Sequence, residues 1–167
     1  MITGPPGSGK SSVAGLAHDT LGEAGVANAL VEADHVRRAY PPPPPERVLA
    51  HVRALVDSWA ETGHDLVFVT ETLETAAELQ ALRAALAPAE TVLVRLDAEP
   101  DTVAERVLER EPETWSGRVS LARHAHALAV SMRALPDVDL VLDTGAGRAV
   151  TANAAAVVDL VAARGAA

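Results

Sequence analysis

Residues 4–11 constrain the fold more than any other part of this sequence. They read GPPGSGKS and match the pattern G-x-x-x-x-G-K-[ST] without deviation. The glycines let the backbone curl so that successive N–H groups point into one cavity at the amino end of a helix. A short apolar stretch precedes the motif and an amphipathic pattern follows it. The motif therefore predicts a strand, an anion-binding loop and a helix in immediate succession.

The rest of the chain alternates between short apolar runs and helical patterns. In the helix after the loop, for example, Val13, Ala17 and Leu21 fall on one face. Strands that alternate with helices form a parallel sheet covered on both faces, so we predict an α/β fold of three layers. The predicted strands are residues 1–3, 28–32, 66–70, 91–96 and 138–142, and the predicted helices are residues 10–24, 46–62, 75–86, 100–110, 121–135 and 149–163.

Two segments depart from this regular pattern. Only three residues precede the loop, whereas a central strand usually has about five, so the first strand is unusually short. Residues 41–45 are five consecutive prolines, which neither a helix interior nor a central strand accepts. They are predicted to form a stiff polyproline connection on the surface, with a wall of the substrate pocket as the alternative.

Length and charge limit the classes of function. A chain of 167 residues is long enough for one domain with one core. The net charge of −9 argues against nucleic acid or an anionic membrane as a partner, since both require a basic surface. The chain has no cysteine, no apolar run long enough to span a bilayer and no signal-like start. We therefore expect a soluble, cytoplasmic protein that is a monomer or a homodimer.

The cations are distributed unevenly between the two basic residue types. The chain contains thirteen arginines but a single lysine, Lys10, which lies in the loop motif. A GTPase would require an N-K-x-D segment to bind guanine, and no second lysine is available for it. Motor and transport ATPases are normally larger. The remaining class that uses such a loop is the small-molecule and nucleotide kinases.

Further motifs follow the loop in a recognisable order. They are Val31-Glu-Ala-Asp34, Leu96-Asp-Ala-Glu-Pro-Asp101, Arg106-x-x-x-Arg110 and Leu142-Asp-Thr144. With these motifs the chain resembles the compact P-loop kinases typified by shikimate, gluconate and adenylylsulfate kinases. It also resembles related antibiotic phosphotransferases of the chloramphenicol type. The resemblance covers most of the chain, although only the loop motif is highly specific.

The resemblance implies a fold and a domain plan. The expected fold is a five-stranded parallel sheet in the order 2-3-1-4-5, with helices on both faces. Residues 1–167 form a single domain, and a short mobile lid is expected at about residues 111–120. Trp115 in that lid is predicted to be partly exposed, whereas Trp59 is predicted to pack on a helix face.

The loop motif and the arginines supply the predicted nucleotide site. Lys10 is expected to reach the β- and γ-phosphates, and the Ser11 hydroxyl to ligate Mg²⁺. Arg106 and Arg110 are four residues apart on one helix face, where they either stabilise the transferred phosphoryl group or form surface ion pairs. The residues predicted to bind ATP or GTP are Gly4, Gly7, Ser8, Gly9, Lys10, Ser11, Ser12, Arg106 and Arg148.

The acceptor site is predicted around Asp34. This residue follows a strand at the edge where open α/β sheets bind ligands, so it can orient an acceptor hydroxyl and take its proton; the alternative is a helix cap. Glu71 is expected to hold a Mg²⁺-bound water or the substrate, or else to be an exposed loop residue. The residues predicted to contact the acceptor are Asp34, Arg37, Arg38, Glu71 and Arg118, and the predicted catalytic residues are Lys10, Asp34 and Arg110.

Taken together, the sequence predicts a Mg²⁺-dependent phosphotransferase. It would move the γ-phosphate of ATP or GTP to a hydroxyl of a small molecule such as a sugar, a nucleoside, an antibiotic or another natural product. Self-resistance to an antibiotic is one role that the analogy suggests. Two alternatives remain open, a nucleotide kinase and a regulatory module that binds nucleotide without transferring phosphate.

Overall fold

The computed structural model describes residues 1–145 and 147–165. The strands are β1 (Ile2–Thr3), β2 (Asn28–Glu32), β3 (Leu66–Thr70), β4 (Val94–Asp97) and β5 (Leu140–Asp143). The helices are α1 (Lys10–Glu23), α2 (Ala33–Val36), α3 (Pro45–Glu61), α4 (Ala76–Leu86), α5 (Pro100–Arg110), α6 (Arg118–Ser131) and α7 (Val150–Gly165), and a 3₁₀ turn (Met132–Ala134) follows α6.

The five strands form one parallel sheet in the order β2-β3-β1-β4-β5, which confirms the predicted fold. β2 and β3 pair over their full lengths, as do β4 and β5. β1 is central but short: Ile2 pairs with Thr70 on one side, and Ile2 and Thr3 pair with Val94 and Arg95 on the other. The carboxyl ends of the strands therefore meet at one edge, next to residues 4–9.

Aliphatic side chains form an apolar layer on each face of the sheet. One layer packs α3 and α4 against the sheet, with Val52 and Leu79 at its centre. The other layer packs α1 and α7 against the opposite face, with Val13 and Val157 buried. A third cluster joins α5 to α6. Burying these side chains is the main force that holds the helices on the sheet.

Several element boundaries differ from the predicted ones. β4 begins at Val94 because the N–H of Leu93 donates to the Asp139 carboxylate (2.8 Å). The helix α3 begins at Pro45, the last of the five prolines, since a proline is well suited to the first turn of a helix. The one-turn helix α2 was not predicted.

The predicted lid segment, residues 111–120, includes a loop and the start of a helix. The loop covers residues 111–117, and α6 begins at Arg118, three residues earlier than predicted. Trp115 is 44% exposed, as predicted. The prediction for Trp59 is wrong: its side chain is 40% exposed, because it lies on the outer side of α3 and contacts the ring of His64 edge to face. In the part of the chain that the structure describes, no helix combines the length and apolarity needed to cross a bilayer.

Candidate functional site

The loop between β1 and α1 has the geometry of an anion nest. Gly7 and Gly9 have φ angles of 83° and 88°, a region that L side chains rarely adopt. A Cβ on Gly7 would also approach the carbonyl oxygen of Val103 to 2.6 Å. The N–H groups of residues 9–12 make no hydrogen bond within residues 1–145 and 147–165. They therefore form a set of donors at the positive end of α1, where phosphate oxygens bind in other proteins.

Ser8 takes a different part in the loop. Its N–H donates to the carbonyl of Pro5 (3.1 Å), so this amide closes the turn. Its side chain is fully buried, and the hydroxyl oxygen has no hydrogen-bond partner among the described residues. A Cβ on Gly4 would lie 2.6 Å from that oxygen, so this glycine makes room for Ser8.

Lys10 is folded back onto the loop that precedes it. Its Nζ donates to the carbonyls of Gly4 (2.8 Å) and Pro5 (3.2 Å). Burial lowers the pKa of Lys10 from 10.5 to about 8. Asp34 and Glu71 lie close enough to raise that pKa again in part, whereas Arg110 lowers it. The charges of three side chains that were predicted to belong to the site therefore act on Lys10.

Ser11 is hydrogen-bonded to a residue that the sequence analysis did not identify. Its hydroxyl donates to the carboxylate of Glu32 over 2.5 Å, at the end of β2. The hydroxyl and the carboxylate are hard oxygen ligands of the kind that Mg²⁺ prefers, so this pair fits the metal that the motif implies. The available signal was the position of Glu32, two residues before Asp34 at the carboxyl end of a strand.

The acceptor side of the site is built on α2 and on the end of β3. Asp34 lies in the first turn of α2 with 67% of its side chain exposed, and it does not cap that helix. Arg37 lies one turn later, with its Nε 3.8 Å from the Asp34 carboxylate and its Nη2 hydrogen-bonded to Glu71. The structure thus brings three predicted acceptor residues together in one cluster, Asp34–Arg37–Glu71.

Glu71 is the most buried carboxylate of this cluster. Only 13% of its side chain is exposed, and it accepts a hydrogen bond from the N–H of Thr72 (2.8 Å). Burial raises the pKa of Glu71, and the guanidinium of Arg37 opposes that shift. Arg38 is exposed and forms no ion pair with any described residue.

Arg106 and Arg110 lie on one face of α5 but contact different partners. Arg106 is half-buried and donates to the carbonyls of Gly7 (3.3 Å) and Thr144 (2.8 Å), so it ties the loop to the segment after β5. Arg110 is more exposed and pairs with the carboxylate of Glu111 (2.6 Å). Arg106 therefore holds the loop in place, whereas Arg110 ends α5 directly before the predicted lid segment.

The remaining predicted arginines make local contacts. Arg118 donates to the carbonyl of Leu108 (2.8 Å) and joins the start of α6 to α5. Arg148, which was predicted to bind the nucleotide, pairs with Asp143 (3.0 Å) in the segment after β5. Residue 146 in that segment lies outside the described residues.

The sequence comparison places the chain in a family. The model of a family described as an AAA domain matches residues 1–134, which is most of the chain. The chain belongs to this family. No curated protein sequence is significantly similar to it.

Solved structures share this AAA domain protein's fold over nearly its whole length. An APS kinase of Mycobacterium tuberculosis, in complex with AMPPNP and APS, is 24% identical with a TM-score of 0.71, and 96% of this chain and 94% of that chain are covered. A sugar kinase of Janibacter sp. HTCC2649 is 19% identical (TM-score 0.69, 96% and 91% covered). A gluconokinase of Sinorhizobium meliloti 1021 is 19% identical (TM-score 0.65, 98% and 92% covered). These matches confirm the predicted resemblance to the small P-loop kinases.

Proposed function

We propose that this protein is a kinase that transfers the γ-phosphate of ATP or GTP to a hydroxyl of a small molecule. The observation that carries the proposal is that the carboxylates of Asp34 and Glu71 cluster at the carboxyl end of the sheet, close enough for their charges to act on Lys10. A phosphate-binding loop alone would also suit a protein that only binds nucleotide. A carboxylate beside the loop lysine adds a group that can act on an acceptor.

The donor side positions the triphosphate. The free N–H groups of residues 9–12 hold the phosphate oxygens, and Lys10 exchanges its bonds to Gly4 and Pro5 for bonds to the β- and γ-phosphates. Ser11 and Glu32 would hold Mg²⁺, which neutralises charge on the phosphates when it is bound. The contacts of Arg106 to Gly7 and Thr144 keep the loop in its binding conformation.

The acceptor side supplies the proton acceptor. Asp34 is exposed, so an acceptor hydroxyl can reach its carboxylate. As the acceptor oxygen forms its bond to the γ-phosphorus, the bond from phosphorus to the bridging oxygen of the nucleoside diphosphate breaks, and the hydroxyl proton passes to Asp34. The charge of Arg110 lowers the pKa of Lys10, so Arg110 acts on the same site. Once Arg110 releases Glu111, it is the candidate for stabilising the transferred phosphoryl group.

The charges of the cluster Asp34–Arg37–Glu71 favour an acceptor without a negative charge. Arg37 is already engaged by both carboxylates, so its positive charge is compensated. An acceptor carboxylate or sulfate would have to displace Glu71 from Arg37 and would leave a largely buried carboxylate without its ion pair. A neutral polyol such as a sugar, a nucleoside or a hydroxylated natural product would not.

Turnover of γ-labelled ATP and GTP over a panel of hydroxyl compounds tests the proposal. The panel pairs neutral polyols with the corresponding sugar acids and includes nucleosides, nucleoside monophosphates and hydroxylated antibiotics. We expect label in a neutral acceptor, and a rate of labelling lower on the order of 10²-fold or more with Asp34→Asn. Label in a nucleoside monophosphate would identify a nucleotide kinase. Tight binding of nucleotide with no transfer to any acceptor would support the non-catalytic module instead.

A further inference from the structure

The helix α3 exposes one side to solvent along its whole length. It has 17 residues and packs on the core through Val48 and Val52. The opposite side carries Arg47, Ala54 and Glu61, which are all exposed. These three residues are spaced seven apart, which is almost two helical turns, so they lie on one line along the helix. We call this line, with the exposed side chains beside it, the α3 face.

The two flanks of the α3 face differ in chemistry. On one flank Leu55 and Trp59 lie one turn apart, and each side chain is 40% exposed. Apolar surface of this kind gains free energy when a second surface covers it. On the other flank Arg53 and Asp57 form an ion pair (2.6 Å), so this flank carries no net charge. Neither flank would repel a second copy of the chain.

The two ends of the α3 face carry opposite charges. Arg47 lies in the first turn of α3 and Glu61 is its last residue, and neither forms an ion pair with any residue among 1–145 and 147–165. Ala54 lies midway between them. If a second copy were laid on this face with its helix reversed, its Glu61 would lie beside Arg47 and its Arg47 beside Glu61. The charges of the α3 face are therefore complementary to themselves.

The reversed arrangement also matches the prolines to an aromatic pair. Pro44 is exposed and has φ −67° and ψ 155°, which is polyproline II geometry, and Pro45 begins α3. At the other end of the helix the ring of Trp59 contacts that of His64 edge to face. The prolines of one copy would reach the level of residues 62–64 of the other, beside this pair. Exposed aromatic rings are the surfaces on which polyproline segments dock in other proteins.

We propose that the α3 face binds the α3 face of a second copy of this chain, with the two helices antiparallel and a two-fold axis at Ala54. The axis brings the same flank of each copy together, so Leu55 would lie against Leu55 of the second copy. Arg47 and Glu61 would form two equivalent ion pairs. A helix about 25 Å long gives a small interface, so we expect a Kd on the order of 10 µM. The proposal does not depend on the kinase activity, because none of these residues belongs to the candidate site.

Exchanging the two charges tests the pairing, with the dimer Kd of the full chain measured by sedimentation velocity up to about 200 µM. Arg47→Glu and Glu61→Arg should each raise this Kd on the order of tenfold or more, because each places two like-charged pairs in the interface. The double variant restores opposite charges and should return the Kd to within about threefold of the original value. Arg123→Glu, at an exposed position of α6, changes the net charge as Arg47→Glu does and should leave the Kd unchanged.

A single cysteine reports the direction of the two helices. The chain has no cysteine, so Ala54→Cys introduces one thiol per copy. At the two-fold axis the two thiols would face each other, and mild oxidation should link the copies by a disulfide. Ser58→Cys, one turn further along the exposed side, is the matched control. Its two thiols would lie about 12 Å apart along the helix axis, so it should not link the copies.

Three outcomes would overturn the proposal. A chain that stays monomeric up to about 200 µM has no such interface. A dimer whose Kd is unaffected by the single reversals, or is not restored in the double variant, uses another surface. Equal linking through Ala54→Cys and Ser58→Cys would contradict the antiparallel arrangement. Arg47 and Glu61 are exposed, so the melting temperatures of the monomeric variants should not change, and a weaker dimer then reports the interface rather than the fold.

Discussion

At the carboxyl ends of the strands lie Lys10, Asp34 and Glu71, whereas the amino ends of the same strands border an apolar cavity of about 800 Å³. The first region has buried charges, free backbone N–H groups and a lysine with a lowered pKa. The second is lined mainly by aliphatic side chains of the strands, of the adjoining loops and of four helices. In a parallel sheet the loops that follow the strands carry ligand chemistry, while the opposite end contributes to stability. Each end can therefore be perturbed without the other.

The largest expected effect is the loss of activity in Lys10→Ala. Lys10 is the only ammonium side chain in the protein, so no neighbour can replace its contact with the phosphates. Turnover should fall on the order of 10³-fold or more, because a charge-assisted contact to the transition state is lost. The melting temperature should change little, since among residues 1–145 and 147–165 the Nζ of Lys10 donates only to the carbonyls of Gly4 and Pro5. Normal turnover by the folded variant would refute the proposed role of the loop.

Asp34→Asn should impair the acceptor side of the site and leave the donor side unchanged. The amide keeps the shape of the carboxylate and removes the proton acceptor, so kcat should fall on the order of 10²-fold or more. The Kd of a non-hydrolysable triphosphate should stay the same. If nucleotide binding is lost as well, Asp34 belongs with Ser11 and Glu32 in the Mg²⁺ site.

The lowered pKa of Lys10 makes nucleotide binding sensitive to alkaline pH. Below about pH 8 the ammonium is charged and binds phosphate; above it the neutral form predominates, and affinity should fall by up to about tenfold per pH unit. Calorimetric titration of a non-hydrolysable triphosphate between pH 7 and pH 10 measures this effect. Lys10→Arg is the control, because a guanidinium stays charged over that range and should give a flat profile.

Phe68→Ala perturbs the amino end of the sheet. Phe68 is 4% exposed and lines the cavity, so truncating it should cost about 3–5 kcal/mol of unfolding free energy. Below the melting transition, the Kd for nucleotide should not change. If the alanine variant does not fold, the milder change Phe68→Leu is used to compare stability with the Kd for nucleotide. A large change in nucleotide affinity in the folded leucine variant would mean that the two ends are coupled.

The smallest expected effect is spectroscopic and concerns the lid. Trp115 is 44% exposed, and its ring lies so close to Gly117 that a Cβ there would approach it to 2.5 Å. If residues 111–117 close over the site, Trp115 emission should shift more with a non-hydrolysable triphosphate and acceptor together than with either alone. Trp59 is 40% exposed, so the measurement requires a Trp59→Phe background. An unchanged spectrum would indicate that Trp115 stays packed against the start of α6.

The sequence by itself determined the order of elements and the phosphate-binding loop. Strand and helix patterns repeat over a few residues, so β2, β3 and α5 were predicted with their observed bounds. The loop depends on glycines and a lysine at fixed spacing, which is also local information. The strand order came from the resemblance, which the sheet then confirmed. The boundary of β4 was less accurate because it depends on Asp139, 46 residues away from Leu93.

Only the tertiary structure decided which partner each charged side chain contacts. Arg37 pairs with Glu71 across 34 residues, and Arg106 reaches Gly7 across 99, so neither partner is visible in a local pattern. Glu32 lies beside Ser11 because β2 ends at the edge of the sheet where α1 begins. The apolar cavity at the amino ends of the strands has the same origin, since it lies where β3, β4 and four helices meet. Contacts of this kind form only when distant segments pack together, and packing is set by the whole core rather than by any one stretch of sequence.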